Sequence, residues 1–189
     1  MRPYIHKDFL LSTPAARELY HRFGEGQPIF DFHCHLSPKE IREDQRFETI
    51  TQVWLAGDHY KRRLMRANGV PEELITGDGD PYEKFLAWAR TVEKSVGNPL
   101  YAWTHMELKN YFGVEELLSE KTAPAIWQAC NEKLQEPGFS ARGLIVQSNV
   151  KALCTTDDPV DSLEHHAAIA ADGSFPVQVL PAFRPETAL

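Results

Sequence analysis

The first clear pattern in the chain is an alternation of side chains with a period of two in the run PIFDFHCHLSP, residues 28 to 38. This period is typical of a β-strand, and we predict a strand over residues 28–35. One face carries acidic and imidazole groups and the other carries apolar groups: Ile29, Asp31, His33 and His35 on the first, Phe30, Phe32 and Cys34 on the second. Because the chain leaves through Ser37-Pro38, both imidazoles are expected at the carboxyl end of the strand.

Helical periodicity dominates residues 38 to 148, where no segment has the pattern of a central strand. Asp58 is the predicted N-cap of a helix over 57–69, and Gly69 is its predicted end. Asp80-Pro81 is expected to start a helix over 80–97, with Glu83 at capping-box spacing. Its apolar stripe is predicted to contain Phe85, Trp88, Val92 and Val96. Further helices are predicted over 13–23, 100–111, 123–134 and 141–148, with 38–48 as a short helix or a loop.

The end of the chain has the pattern strand, helix, strand. Strands are predicted over 150–155 and 176–183, with a helix between them that starts at Asp158-Pro159 and runs to about residue 171. This spacing predicts a βαβ unit with parallel strands. Asp158 is the expected N-cap. Asp157, at the same end of the sheet, either helps to shape the site or forms an Asx-type turn, which is the plainer interpretation. His165 and His166 are assigned to packing or to the surface. Because no helix follows the last strand, we expect the chain to be the N-terminal portion of a longer protein.

His33 and His35 are the strongest candidates for chemistry. Two imidazoles two residues apart on one strand face can bind one metal ion, and nitrogen ligands suit Zn²⁺ and related divalent metals. The carboxyl ends of strands are also where barrel and open α/β folds place their active sites. The alternative is two histidines with a structural role on a half-buried strand. Asp31, on the same face, is either a partner that orients an imidazole or a structural residue. Cys34, on the opposite face, is interpreted as packing.

Composition narrows the class of protein. The 189 residues are 42% hydrophobic, which is enough for one domain or for part of a larger one. A formal net charge of −7 argues against nucleic acid or an anionic membrane surface as a partner. No apolar run is as long as a membrane span, and the N-terminal run lacks a signal-peptide core. The three cysteines are odd in number and lack Cys-x-x-Cys spacing, which indicates reduced thiols in a cytoplasmic protein.

Four long motifs occur in order: FDFHCHLSP, WLAGDHYKRRLMRANGV, CTTDDPVDSLEHH and VLPAFRP. Together they resemble the N-terminal part of the uronate isomerase family of the amidohydrolase superfamily. The resemblance implies an α/β fold, the N-terminal part of a distorted (β/α)₈ TIM-type barrel with a large all-helical insertion after the first barrel strand. It places an N-terminal helix and the first strand in 1–37, the insertion in 38–148, and the second and third barrel strands in 149–189. The barrel is then incomplete.

The resemblance also implies an activity and residues for it. The reaction is aldose–ketose isomerisation of a hexuronate, D-glucuronate to D-fructuronate or D-galacturonate to D-tagaturonate, by metal-assisted proton transfer through an enediol. His33 and His35 match the family's metal ligands, and the implied cofactor is a divalent ion such as Zn²⁺. His59 and Tyr60 match residues that reach the substrate, and Arg184 matches a substrate-binding arginine. Taken without the resemblance, His59 and Tyr60 form an ordinary helix start and Arg184 is a surface residue.

Three hypotheses stay open at this point. The chain belongs to a uronate isomerase, to a metal-dependent hydrolase of the same superfamily, or to a non-catalytic truncated product. The expected partner is a small-molecule hexuronate, with no nucleic acid and no membrane, and a homo-oligomer is left open. We predict that the isolated chain has little or no activity, because a further metal ligand and a base are expected beyond Leu189.

Overall fold

The computed structural model describes residues 3–184 and divides the chain into two compact units. The first, here called the helical unit, contains the residues up to Arg17 together with Phe47–Glu136. The second, here called the sheet unit, contains Glu18–Arg46 together with the residues from Pro137 onward. Residues 38–46 and 137–148, which the resemblance placed in the helical insertion, belong to the sheet unit.

The described residues form helices and three strands in an order that the sequence largely predicted. A π-helical turn lies at Tyr20–Gly24 and a 3-10 turn at Glu72–Leu74. In chain order, the elements are α1 (Pro14–Leu19), β1 (Ile29–Asp31), α2 (Pro38–Glu43), α3 (Ile50–Leu55), α4 (His59–Ala67), α5 (Pro81–Glu93), α6 (Pro99–Phe112), α7 (Ala123–Leu134), α8 (Ala141–Gln147), β2 (Val150–Asp157), α9 (Glu164–Ala171) and β3 (Gln178–Phe183).

Side-chain caps mark the amino-terminal ends of α4 and α5, the two helices for which capping residues were predicted. The Asp58 carboxylate accepts hydrogen bonds from the first-turn backbone N–H groups of α4, and Asp80 does the same for α5. These bonds satisfy donors that have no partner inside a helix. Gly69, two residues after α4, has a φ of 77°, a left-handed conformation that glycine adopts without a Cβ clash. Both caps and this stop confirm the sequence prediction.

The helical unit is built around aromatic side chains of α3 and α5. Trp88 is fully buried and Phe85 is 1% exposed, as the apolar stripe of α5 predicted. The Trp54 ring stacks on Phe85 with 6.0 Å between ring centroids. Val96 was predicted in the same stripe and is instead 76% exposed. The reason is that α5 ends at Glu93, so the helical period no longer directs this side chain inward.

The sheet unit contains a parallel three-stranded sheet in the order β1-β2-β3. This confirms the predicted parallel pairing of the last two strands. One face of the sheet packs on an apolar cluster that also receives α2, α8 and α9. Its buried members are Ile41, Ile145, Leu153, Ile169, Phe175, Val177 and Val179, with Cys34 and Val150 packed against them. The position of Cys34 confirms its assignment to packing.

Helix α9 begins later than the sequence predicted. Its first residue is Glu164 rather than Pro159. Asp158, the expected N-cap, instead accepts a hydrogen bond from the Val160 backbone N–H at 3.0 Å. That contact forms a local Asx-type turn, a competing use of an Asp side chain that a sequence pattern does not distinguish from a cap. The turn prediction made for Asp157 therefore applies to its neighbour, and Asp157 ends β2 as a buried residue.

No helix within residues 3–184 is long and apolar enough to cross a membrane. The three cysteines, all of them among the described residues, carry free thiols. Burial raises the pKa of Cys130 to about 12 and also raises the pKa of Cys34.

Candidate functional site

His33 and His35 lie directly after β1, in an irregular segment rather than in the strand. The predicted strand over 28–35 is wrong in its length, because β1 ends at Asp31. There the Asp31 carboxylate accepts a hydrogen bond from the His33 backbone N–H at 3.2 Å, and this local bond replaces a ladder bond. Cys34 returns to the sheet, where its N–H donates to Cys154 O at 2.9 Å. Asp31 thus has a structural contact with this segment, one of the two roles predicted for it.

The two imidazoles are close enough to bind the same ion. Their ring centroids are 4.9 Å apart with an interplanar angle of 86°, and both side chains are exposed. Metal–nitrogen bonds of about 2.0–2.1 Å and a tetrahedral angle place the centroids of two imidazoles on one zinc ion about 5 Å apart. The donor set therefore fits two positions of a divalent metal site. Within residues 3–184, no group of three or more His, Cys, Asp or Glu side chains is arranged to hold a metal ion.

The end of the neighbouring strand β2 carries a buried polar cluster. Thr155 is fully buried, and its hydroxyl lies 2.7 Å from Asp157 Oδ2 and 2.7 Å from His166 Nε2. All three groups are satisfied if His166 Nε2–H donates to the hydroxyl oxygen and the hydroxyl donates to Asp157. His166 Nε2 is also 3.6 Å from the second carboxylate oxygen of Asp157. The cluster therefore fixes a carboxylate at the carboxyl end of β2.

The pattern of side chains along the sequence does not predict this cluster. His166 was assigned to packing or to the surface, away from the strand end, and it is indeed buried. However, it reaches back to Thr155, which is 11 positions earlier in the chain. The alternation along β2 could have indicated that Thr155 and Asp157 share a face. No local signal pairs them with a histidine on the following helix, because that contact depends on how α9 packs on the sheet.

Arg184 follows β3 immediately and is exposed. It therefore lies at the same edge of the sheet as Asp157 and the paired histidines, since β1, β2 and β3 are parallel neighbours. Adjacent strands are about 4.8 Å apart, so β1 and β3 are separated by roughly 10 Å across the sheet. The register places the last residue of β1 level with Val179, so β3 extends four residues farther along the strand direction. The sheet unit thus brings together an imidazole pair, a carboxylate and a guanidinium.

His59 and Tyr60 occupy the first turn of α4 in the helical unit. Their rings are 4.3 Å apart between centroids, and Tyr60 is 55% exposed. The Arg63 guanidinium lies 5.8 Å from the centroid of the Tyr60 ring, within cation–π range. The Asp58 carboxylate accepts a hydrogen bond from the Tyr60 backbone N–H at 2.9 Å. An exposed phenol and an imidazole on a capped first turn are suited to contact a polar ligand.

These features define an α/β protein whose parallel sheet collects imidazole, carboxylate and guanidinium groups at the carboxyl ends of its strands. The sequence model of the glucuronate isomerase family matches residues 1–189. The chain belongs to the glucuronate isomerase family, whose members are also called uronate isomerases.

Individual relatives agree with this assignment. The chain is 57% identical to the uronate isomerase of Bacillus pumilus over 189 residues, covering 100% of this chain and 39% of the relative. It is 57% identical to that of Bacillus subtilis, covering 100% of this chain and 40% of the relative. The crystal structure of uronate isomerase from Thermotoga maritima superposes with a TM-score of 0.91 at 40% identity, covering 98% of this chain and 40% of the other. The crystal structure of glucuronate isomerase from Caulobacter crescentus superposes with a TM-score of 0.88 at 30% identity. That match covers 99% of this chain and 41% of the other.

The chain spans about two fifths of the length of the curated relatives it matches.

Proposed function

We propose that the complete protein interconverts a hexuronate aldose and its ketose, D-glucuronate with D-fructuronate or D-galacturonate with D-tagaturonate. The observation that carries this proposal is the match along the whole chain to proteins named uronate isomerase, at 57% identity. A metal-dependent hydrolase is the less favoured alternative, because the match extends beyond the paired histidines to the segments around Tyr60 and Arg184.

We propose further that β1, β2 and β3 are the first three strands of a (β/α)₈ barrel. Sequential strands are neighbours in such a barrel and all of them run parallel, as they do here. Active sites of this fold lie at the carboxyl ends of the strands. The proposal therefore assigns His33, His35, Asp157 and Arg184 to the active-site end.

Each candidate residue answers one demand of the reaction. Isomerisation moves a proton between C2 and C1 of the sugar, so an acid or hydrogen-bond donor is needed near these atoms. The exposed Tyr60 hydroxyl is suited to this role, and His59 beside it is suited to hold a sugar hydroxyl. Arg184 can bind the C6 carboxylate through a bidentate fork that lysine cannot form. Asp157 is held rigidly by Thr155 and is suited to orient a neighbouring polar group.

We propose that His33 and His35 hold a divalent metal, with Zn²⁺ as the first candidate. When bound, the ion supplies Lewis-acid stabilisation of negative charge on the sugar oxygens. The ring spacing of 4.9 Å and the exposure of both imidazoles support the proposal. The free thiols support a reducing compartment, and we place the protein in the cytoplasm.

The activity is tested with the full-length protein. It is incubated with D-glucuronate or D-galacturonate in the presence of Zn²⁺, and ketose formation is measured. Ketose production from at least one substrate is expected. No ketose from either substrate with any divalent metal would refute the assignment. The 189-residue chain is assayed in parallel and is expected to give little or no ketose.

The metal ligands are tested by metal content rather than by rate alone. His33→Ala is expected to lower the bound metal per protein after dialysis, because one of two nitrogen donors in the described residues is removed. His21→Ala is the control, since His21 pairs with Glu25 on the π-helical turn of the same unit. The control should retain the parent metal content. An unchanged metal content in His33→Ala would exclude His33 as a ligand.

A further inference from the structure

An ion cluster of one buried lysine and two partly buried carboxylates lies beneath the helix turn that carries His59 and Tyr60. Lys61 on α4 is only 5% exposed. Its ammonium is 2.9 Å from Asp58 Oδ2 and 3.6 Å from Glu107 Oε2 on α6. The same ammonium lies 5.9 Å from the centroid of the Trp54 ring on α3. One cation thus joins three elements of the helical unit.

The cluster is bonded to the turn that bears the candidate site residues. One oxygen of Asp58, Oδ1, accepts the backbone N–H of Tyr60 at 2.9 Å and that of Lys61 at 3.0 Å. The other oxygen of the same carboxylate is paired with the Lys61 ammonium. One carboxylate therefore links the Lys61 ammonium to the Tyr60 backbone N–H.

Stability alone does not explain a buried lysine at this position. Removing an ammonium from water costs several kcal/mol, and apolar replacements of buried ion clusters are often as stable as the originals. Burial raises the pKa of Asp58, but the charge and hydrogen bonds of Lys61 outweigh it and the pKa is lowered. Burial also raises the pKa of Glu107, against the opposing charge of Lys61. The ammonium therefore favours the ionised form of the capping carboxylate and contacts a second carboxylate 3.6 Å away.

We propose that Lys61, with Asp58 and Glu107, is a positioning residue that fixes the first turn of α4 so that Tyr60 reaches the substrate. The inference rests on the proposed function, because Tyr60 and His59 have a substrate role only in that reaction. Lys61 itself is buried. Its effect on catalysis is exerted through the backbone of Tyr60.

The geometric part is tested by hydrogen exchange of single backbone amides in the full-length protein. Lys61→Met keeps the apolar stem and removes the charge, and it should raise exchange at the Tyr60 amide by about tenfold or more. Lys109→Met is the matched control: Lys109 is also an ion-paired lysine of the helical unit, 2.8 Å from Glu115, but it lies on α6 and bonds to Ile5 O. The control should leave the Tyr60 amide unchanged. Equal exchange in parent and Lys61→Met would overturn the inference.

The catalytic part is tested by a double-mutant cycle on kcat. Small misplacements of reacting groups cost up to about 100-fold in rate, so Lys61→Met should lower kcat by roughly 10- to 100-fold. If Lys61 acts through the Tyr60 hydroxyl, the same change in a Tyr60→Phe background should lower kcat by less than about twofold. Equal losses in both backgrounds would show an independent structural effect and refute the inference.

Two further variants keep the result interpretable. Should Lys61→Met fail to fold, Glu107→Gln keeps the shape of the second partner and is expected to raise Tyr60 amide exchange and to lower kcat in the same non-additive way. Lys61→Arg retains the charge and should recover part of the lost kcat. A full-length parent that is inactive on both hexuronates would refute the proposed function, whereas the Tyr60 exchange rate would still decide the positioning role.

Discussion

Replacing Thr155 with Val is expected to destabilise the sheet unit strongly although the side-chain shape is almost unchanged. Thr155 is fully buried, and its hydroxyl lies within 2.7 Å of both Asp157 Oδ2 and His166 Nε2. Valine fills the same volume but neither donates nor accepts a hydrogen bond. Asp157 is 8% exposed and His166 is 7% exposed, so water does not readily replace the lost hydroxyl.

The magnitude follows from the two groups left without a partner. A hydrogen bond to a charged group contributes about 1.5–3 kcal/mol, and an unsatisfied buried neutral donor costs about 1–3 kcal/mol. Some overlap is expected because the imidazole can move toward Asp157, from which it is 3.6 Å away. We therefore expect Thr155→Val to lower the unfolding free energy of the sheet unit by about 3 kcal/mol.

The assay is native-state hydrogen exchange at the β2 amides, which reports opening of the sheet unit itself. Thr155→Ser is the matched control, because it keeps the hydroxyl and loses only a methyl group, at a cost of about 1 kcal/mol. The valine variant should therefore be clearly less stable than the serine variant. If serine proved as damaging as valine, the lost methyl contacts and not the hydrogen bonds would be responsible, and the reasoning would be refuted.

Two further predictions concern packing within each unit, at His105 in the helical unit and at Arg142 in the sheet unit. His105 is 3% exposed. Its Nδ1 lies 2.6 Å from Tyr101 O, and its Nε2 accepts a hydrogen bond from the Leu118 N–H at 2.9 Å. Burial lowers the pKa of His105, against the opposing effect of the Tyr101 contact. The folded protein therefore binds the proton less readily than the unfolded chain, so stability is complete above about pH 6.5 and falls as the pH decreases toward the folded pKa. His105→Gln should reduce this loss between about pH 7.5 and 5.5, measured by urea unfolding with Trp fluorescence; identical pH slopes would contradict the assignment. Arg142 donates hydrogen bonds to Ile41 O at 2.7 Å and to Arg42 O at 3.0 Å, at the carboxyl end of α2. Arg142→Met should therefore lower the unfolding free energy of the sheet unit by about 2–3 kcal/mol, measured by native-state hydrogen exchange. Arg142→Lys should recover only part of the loss because lysine lacks the fork, and full recovery would show that charge alone matters.

The helical elements were predicted well from the sequence because their signals are local. The Asp58 and Asp80 caps, the glycine stop after α4 and the apolar stripe of α5 depend on residues within about two turns of each other. The same holds for the parallel pairing of β2 and β3, which follows from the strand–helix–strand spacing. The predicted ends of two elements were wrong where an aspartate side chain bonds to a nearby backbone N–H. Asp31 accepts the His33 N–H and β1 ends there, and Asp158 accepts the Val160 N–H and α9 begins only later.

The candidate site likewise contains residues that local motifs indicate and contacts that only the packing of distant elements creates. The sequence by itself determined the His33–His35 pair, the Tyr60 turn and Arg184, because these residues lie in continuous motifs. Only the tertiary structure decided that Thr155, Asp157 and His166 form one cluster and that Lys61 meets Glu107 beneath the Tyr60 turn. Lys61 and Glu107 are far apart in the chain, and no periodicity relates a residue of α4 to one of α6. Such contacts follow from how helices pack on each other and on the sheet, which the side-chain pattern of any single element does not specify.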